Sequence, residues 1–490
     1  MNKVEKERKS VRQAVITGLR WLTTARFVAQ VSSWAVTLIV IRLLTPADYG
    51  LHAMVAVLYS LLIRISQSGV DRAISRHPDF KDSNLSQLLG FYLLLNFALF
   101  VAVWFVAPLV AAYYQEPRVV LLLRVLAFGF VITLFKLIPV GLVWRELDYR
   151  THAIASLIGT VSGSLVTLGI AIAGYGVWAL IIGNLVVPGS AAIYLQLKKR
   201  WLVLPRFSFG ESFSIVKYAW TIGAGFFVWQ FAWGLDVLLG GKQIAAAELG
   251  FYVVAIHLCA MPLDKVVPLA NEILYPAYSR LQSDPAAINQ YFQKSLVSIC
   301  FVLFPAFLGL AAISEWLVPV VFGANWIGIE RIMLIVALAM PFRVLLSMCN
   351  PVLNATGSAH LSLWSGVFAV IFIAAAVSVG IHWGAIGLAY AALVSAPVVM
   401  TVVLLQMTRV AKISFSDLAG TAGSLLCVSV VMAVVVYLTG RYFDGSLANS
   451  AIIAIQVLCG ALIYFMLTAL FARRHLLLTV GIMRSSLFSR

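Results

Sequence analysis

Apolar residues dominate this chain in long runs, each near the roughly 20-residue length that crosses a bilayer as a helix and each closed by a short polar turn. Fourteen such runs fall near residues 14–41, 48–70, 87–114, 119–142, 153–173, 177–196, 214–239, 248–270, 295–317, 328–350, 361–381, 385–407, 418–439 and 450–472. No gap between them could hold a soluble domain. The pattern predicts an all-α integral membrane protein of about 14 transmembrane helices.

Composition agrees. Of 490 residues, 62% are hydrophobic and 11% charged, which excludes an ordinary soluble domain. The net charge of +16 would suit nucleic acid, but the distribution of basic residues follows membrane topology instead. With the N-terminus in the cytoplasm, the inner segments hold 22 Lys/Arg and the outer loops only Arg42, Arg118, Lys242 and Arg441. That is the asymmetry of the positive-inside rule, and it places both termini in the cytoplasm. Run 14–41 follows a basic tail, Lys3, Lys6, Arg8, Lys9 and Arg12, as a signal peptide would. Its length and the lack of a cleavage site before Arg42 predict a retained span. Cys259, Cys300, Cys349, Cys427 and Cys459 lie in or beside apolar runs without metal-ligand spacing, and read as packing residues.

A repeat is present. Thr45-Pro46-Ala47-Asp48-Tyr49-Gly50-Leu51 returns 200 residues later as Ala245-Ala246-Ala247-Glu248-Leu249-Gly250-Phe251. Gly176-Val177-Trp178-Ala179-Leu180 returns at an offset of 208 as Gly384-Ala385-Ile386-Gly387-Leu388, followed by Pro188 and Pro397 respectively. Two matches at similar offsets predict duplication of a six-span unit, although an acidic cap and a turn glycine also recur by convergence. An even span number makes the copies parallel: two six-helix lobes, 1–200 and 201–412, around a central cavity, with two further helices and a tail at 413–490.

No chemistry of bond making stands out. Gly240-Gly241-Lys242-Gln243 lacks the spacing and hydroxyl of a phosphate loop, and the seven histidines form no metalloprotease pattern. The outer loops are too short for a membrane polymerase. We therefore expect no enzyme, no cofactor and no metal. What remains is charge within the spans: Arg20, Arg26, Arg64, Arg124, Lys136, Lys217, Lys265, Arg331 and Arg343. Such cations cost roughly 2.5–3.5 kcal/mol at mid-bilayer on insertion scales, and either snorkel from helix ends or face a watery path. Topology puts Arg20, Arg26, Arg64, Lys136, Lys265 and Arg343 in the cytoplasmic half and Arg124 and Arg331 in the outer half; Lys217 reads as a snorkelling boundary residue. Clustered cations suit a phosphate or diphosphate, to which arginine donates bidentate hydrogen bonds. Among acids, Asp236 and Asp264 lie well inside spans, with Glu272 at an inner end. Two readings stand for them, coupling to protons or sodium and neutralising a cation such as Lys265. Glu330 with Arg331 reads as a pair near the outer surface.

Arg42-Leu43-Leu44-Thr45-Pro46-Ala47-Asp48-Tyr49-Gly50-Leu51 resembles the first external loop of the Wzx-type polysaccharide transporters of the multidrug/oligosaccharidyl-lipid/polysaccharide exporter superfamily. Trp144-Arg145-Glu146-Leu147-Asp148-Tyr149-Arg150 resembles their inner loop after the fourth span, and Gly174-Tyr175-Gly176-Val177-Trp178-Ala179-Leu180 their turn into the sixth. The likeness is to the colanic acid, teichuronic acid and xanthan-type exporters, and is stronger in the first half. These are similar to lipid II flippases, whose arginines in the first two spans engage a lipid diphosphate; Arg20 and Arg26 match the first pair, and Arg64 stands five residues before Gly69 as theirs does. His257 holds a position where the flippases carry arginine, so a cation there depends on protonation.

The resemblance implies a multi-pass bacterial inner-membrane flippase that carries an undecaprenyl-diphosphate-linked oligosaccharide outward for exopolysaccharide, capsule or O-antigen assembly. Its expected partners are the lipid-linked oligosaccharide, membrane lipids, and a polysaccharide polymerase and export machinery; nucleic acid is not among them. The diphosphate would meet Arg20, Arg26, Arg64, Arg124, Lys136, His257, Lys265 and Arg343, with Asp236 and Asp264 as candidate ion-coupling acids. The alternatives are a cation-coupled multidrug exporter, whose site should be acidic, and a membrane polysaccharide polymerase or ligase.

Overall fold

The computed structural model describes residues 30, 32–67, 82–146, 148–198, 204–208 and 213–473. They form helices joined by short turns, with no strand among them. Eleven described stretches are long and apolar enough to cross a bilayer. The protein is a multi-pass integral membrane protein, since only internally hydrogen-bonded helices of this kind satisfy their backbone in lipid.

The chain divides into two compact units, Met1–Gln230 and Phe231–Arg490. The first contains α1 (Ser32–Leu43), α2 (Pro46–Gln67), α3 (Asp82–Tyr114), α4 (Arg118–Arg145), α5 (Tyr149–Ile172), α6 (Trp178–Lys198) and the beginning of α7 (Phe213–Gln243). Within it α3 pairs antiparallel with α4, α5 with α6, and α4 packs along α6 and α2. The α5–α6 contact is close because Gly159 and Gly163 lie against Val187, and Gly183 against Thr167. The second unit takes the end of α7 and continues through α8 (Ala246–Arg280), α9 (Pro285–Val321), α10 (Ile329–Ala355), α11 (Ala359–Gly380), α12 (Gly384–Ala411), α13 (Ser424–Phe443) and α14 (Asn449–Phe471). Its most buried span is α10, which packs against α8, α9 and α12. The last two helices lie on α9, where Tyr464 donates to the Phe301 carbonyl (2.8 Å) and buried Gln456 of α14 donates to the Val436 carbonyl of α13 (3.1 Å).

Several helices outrun their apolar stretches. α8 continues to Arg280 and α9 begins at Pro285, whereas the sequence runs were 248–270 and 295–317. Intrahelical hydrogen bonds serve in water as in lipid, so a helix carries on until a cap stops it. Asp284 is that cap for α9: its carboxylate accepts from the Ala286 and Ala287 amides, both at 3.0 Å, with Pro285 at the first turn. Conversely the apolar stretch His360–Ala411 is two helices, broken by a 3-10 turn at Ile381–Trp383.

The two sequence echoes meet in space within each unit. In the first, Thr45 caps α2 and Asp48 answers it: the Thr45 hydroxyl and amide both donate to Asp48 Oδ2 (2.7 and 3.0 Å), a capping-box arrangement. The other oxygen, Oδ1, accepts from the Val177 amide at the start of α6 (3.0 Å). His52, one turn further, bonds Asn184 of α6 at 2.8 Å. Gly176, at φ +55°, brings its backbone against the Asp48 carboxylate. In the second unit Gly384, at φ +64°, abuts the carboxylate of Glu248 in the same way. An acid from the first echo thus touches the glycine of the second in both units.

Candidate functional site

Arg64 stands near the end of α2, exposed, and Lys136 lies half-buried on α4. Neither has a hydrogen bond or ion pair to a described residue. The register of the two helices is set by Tyr59, whose hydroxyl faces Gly129 and whose ring lies 5.6 Å from Phe130. Counting from that contact, Arg64 is ~7.5 Å and Lys136 ~10 Å further along, so the two cations lie within about one helical turn of the same level. Behind them, buried Ser66 donates to buried Asn96 of α3 at 2.5 Å, which holds the end of α2 in place without using either cation. Arg124 of α4 stacks on Trp104 of α3, its guanidinium carbon 4.8 Å from the ring centre.

In the second unit the charges engage one another. Arg343 of α10 lies over the ring of Trp233 of α7 at 4.1 Å and interacts electrostatically with Asp236 and Asp264. Asp236 Oδ2 accepts from the Tyr252 hydroxyl (2.8 Å) and Oδ1 from the Val237 amide (2.7 Å), so a proton donor and a backbone dipole hold the carboxylate toward α8. About two turns apart on α8, His257 and Asp264 interact, and Lys265 interacts with both; all three are exposed. The structure therefore gathers Asp236, Asp264, His257, Lys265 and Arg343 around α7, α8 and α10.

Two members of that group were missed from sequence, Trp233 and Tyr252. Trp233 stands three residues before Asp236, a spacing that puts both on one face of α7, and this was the available signal. Glu330 corrects an expectation: its carboxylate accepts from the Gly328 amide at 2.7 Å and caps α10, and no ion pair with exposed Arg331 forms. A carboxylate two residues from a helix start gains more from that orphan amide than from an exposed cation. Arg20 and Arg26 lie outside the described residues, and the side chain of Lys217 does too. Among the described residues no group of three His, Cys, Asp or Glu could hold a metal ion.

Residues 39–331 match a family model described as polysaccharide biosynthesis protein. The chain belongs to that family. Both acid–glycine echoes begin inside the matched segment. Its relatives include the lipopolysaccharide biosynthesis protein WzxC of Escherichia coli (strain K12), 25% identical over 395 residues and 77% of each chain. The succinoglycan biosynthesis transport protein ExoT of Rhizobium meliloti (strain 1021) is 24% identical over 70% of this chain and 69% of its own. The teichuronic acid biosynthesis protein TuaB of Bacillus subtilis (strain 168) is 25% identical, and the match spans 63% of that protein and 61% of this one. In fold the chain is similar to the lipid II flippase MurJ in an inward closed conformation, with a TM-score of 0.75, 15% identity, and coverage of 92% of this chain and 99% of that one. It is similar also to an inward-facing multidrug resistance transporter of the MATE family, with a TM-score of 0.62 and 15% identity over 78% and 96%. At such identity these two are likenesses of fold.

Proposed function

We propose that this family member is a flippase, moving an undecaprenyl-diphosphate-linked oligosaccharide repeat unit from the cytoplasmic to the periplasmic leaflet of a bacterial inner membrane. The observation that carries the proposal is a pair of cations, Arg64 and Lys136, held at one level of two packed transmembrane helices without a partner among the described residues. Cations so placed are retained against an insertion cost, and an anionic group passing through supplies the return. A diphosphate answers two cations at once, and arginine meets it with paired donors.

Arg20, Arg26, Lys265, Arg343 and His257 are further candidates for the diphosphate in this reading, with both termini in the cytoplasm. Asp236 and Asp264 offset Arg343, and a coupling ion or proton that displaced this balance would link transport to a gradient. The duplicated six-span units, 1–200 and 201–412, would reorient by alternating access, with 413–490 appended. No bond is made or broken. The polysaccharide polymerase and export machinery would take the product at the outer face.

A multidrug exporter shares the fold, but a path for cationic drugs should present acids rather than free cations. The deciding measurement is leaflet translocation of a fluorescent polyprenyl-diphosphate sugar by purified protein in vesicles. Movement well above protein-free vesicles is expected; none across several glycans, with a cationic dye transported instead, would establish the exporter.

A further inference from the structure

One cation has its own surroundings. Arg124 stacks on Trp104, which with Phe97, Phe100, Val101, Phe105 and Phe128 lines a groove of about 290 Å³. The groove is built rather than incidental: Phe100 packs on Trp104 (5.7 Å between rings) and edge-on against Phe128 (5.4 Å), joining α3 to α4. Phe97 and Phe105 stay largely exposed, 63% and 74%, and α3 is the least buried of the candidate spans. The Nε of Arg124 is buried and has no hydrogen-bond partner among the described residues.

The polarity of the groove is that of an amphiphile. Arg124 lies six residues past Arg118, so ~9 Å from the turn that joins the helices, and its side chain leans toward that turn as helical side chains do. Phe97 and Phe100 lie on the other side of Trp104, the former ~10 Å deeper into the span. An occupant would thus have an anionic head at the turn and an apolar chain running inward over aromatic walls. At about 290 Å³ the groove is at the lower end of small-molecule pockets, commonly ~300–1,000 Å³, and holds part of one chain. One guanidinium matches one phosphodiester, whereas a diphosphate calls on several.

We propose that the α3–α4 groove is a binding site for one anionic glycerophospholipid, its phosphodiester on Arg124 and one acyl chain along Phe97, Phe100 and Phe128. This separates Arg124 from the cations of the transport path and does not depend on the flippase reading. Native mass spectrometry of the full-length protein, titrated in detergent with dioleoylphosphatidylglycerol, tests it. Wild type should retain one lipid with an affinity at least ten-fold above that of Arg124→Gln, and Arg124→Lys should fall between them. Phe128→Ala, which keeps the cation and shortens the wall, should weaken binding several-fold, and dioleoylglycerol, lacking phosphate, should bind wild type and Arg124→Gln alike. Equal phosphatidylglycerol retention by wild type and both weakening variants would overturn the proposal. So would displacement of the lipid by a lower concentration of polyprenyl diphosphate, which would give the groove to the substrate. Loss of translocation with lipid binding intact, or the converse, keeps this site distinct from the proposed function.

Discussion

Cations within the spans differ in what surrounds them, and single substitutions distinguish them. Arg64 and Lys136 bond to no side chain among the described residues, so Arg64→Gln and Lys136→Gln should leave abundance and thermal stability unchanged while lowering translocation at least ten-fold. Full activity of both variants would remove them from the path. Arg343 is tied to its surroundings by Trp233 and by the charges of Asp236 and Asp264. Arg343→Gln should therefore destabilise the protein by ~2–3 kcal/mol, through the lost stack and the carboxylates left uncompensated. Adding Asp236→Asn should restore part of that loss, read as the melting temperature in detergent across a double-mutant cycle. Additive losses would show that the two charges do not communicate. That the cations exist was plain in the sequence; which of them carry a partner was not, because Trp233 and Tyr252 reach the cluster only when α7, α8 and α10 are packed together.

Between elements, the duplicated acid–glycine contact is the most specific feature. Asp48 closes the cap of α2 with one oxygen and binds the first turn of α6 with the other. Asp48→Ala removes a cap and a charge-assisted hydrogen bond, and should cost ~2–3 kcal/mol. Gly176→Ala and Gly384→Ala should each destabilise, since each residue has positive φ and a Cβ would press on the facing carboxylate. Thermal unfolding of purified variants checks all three, and equal effects at Gly176 and Gly384 are the signature of equivalent positions in two copies. A loss at one site only would separate them. The repeat was legible as two short echoes at offsets of 200 and 208; that the echoes touch each other could not be read, because some 130 residues separate them along the chain in each copy.

For the whole molecule, the charge asymmetry of the loops predicts an orientation that impermeant thiol labelling reads directly. In a cysteine-free background, Ser446→Cys, in the turn before α14, should label in intact cells, and Ser283→Cys, between α8 and α9, only after permeabilisation. The reverse pattern would invert the topology and, with it, the direction of the basic path.

By itself, the sequence determined that the chain is an all-α membrane protein, roughly where its spans fall, that two short motifs recur some 200 residues apart, and which family it resembles. Each of these is carried by local hydropathy, loop charge or short contiguous motifs, and bilayer thickness converts a run of apolar residues into a helix whatever its neighbours are. The tertiary structure decided where helices stop when capping outlasts hydropathy, as at Asp284, and gave Glu330 to a helix cap instead of Arg331. It alone sorted the cations into Arg64 and Lys136, without a partner among the described residues, the compensated Arg343, and Arg124 on its aromatic wall. The reason is that a charge inside a membrane is judged by what lies within a few ångströms of it, and those neighbours come from other helices.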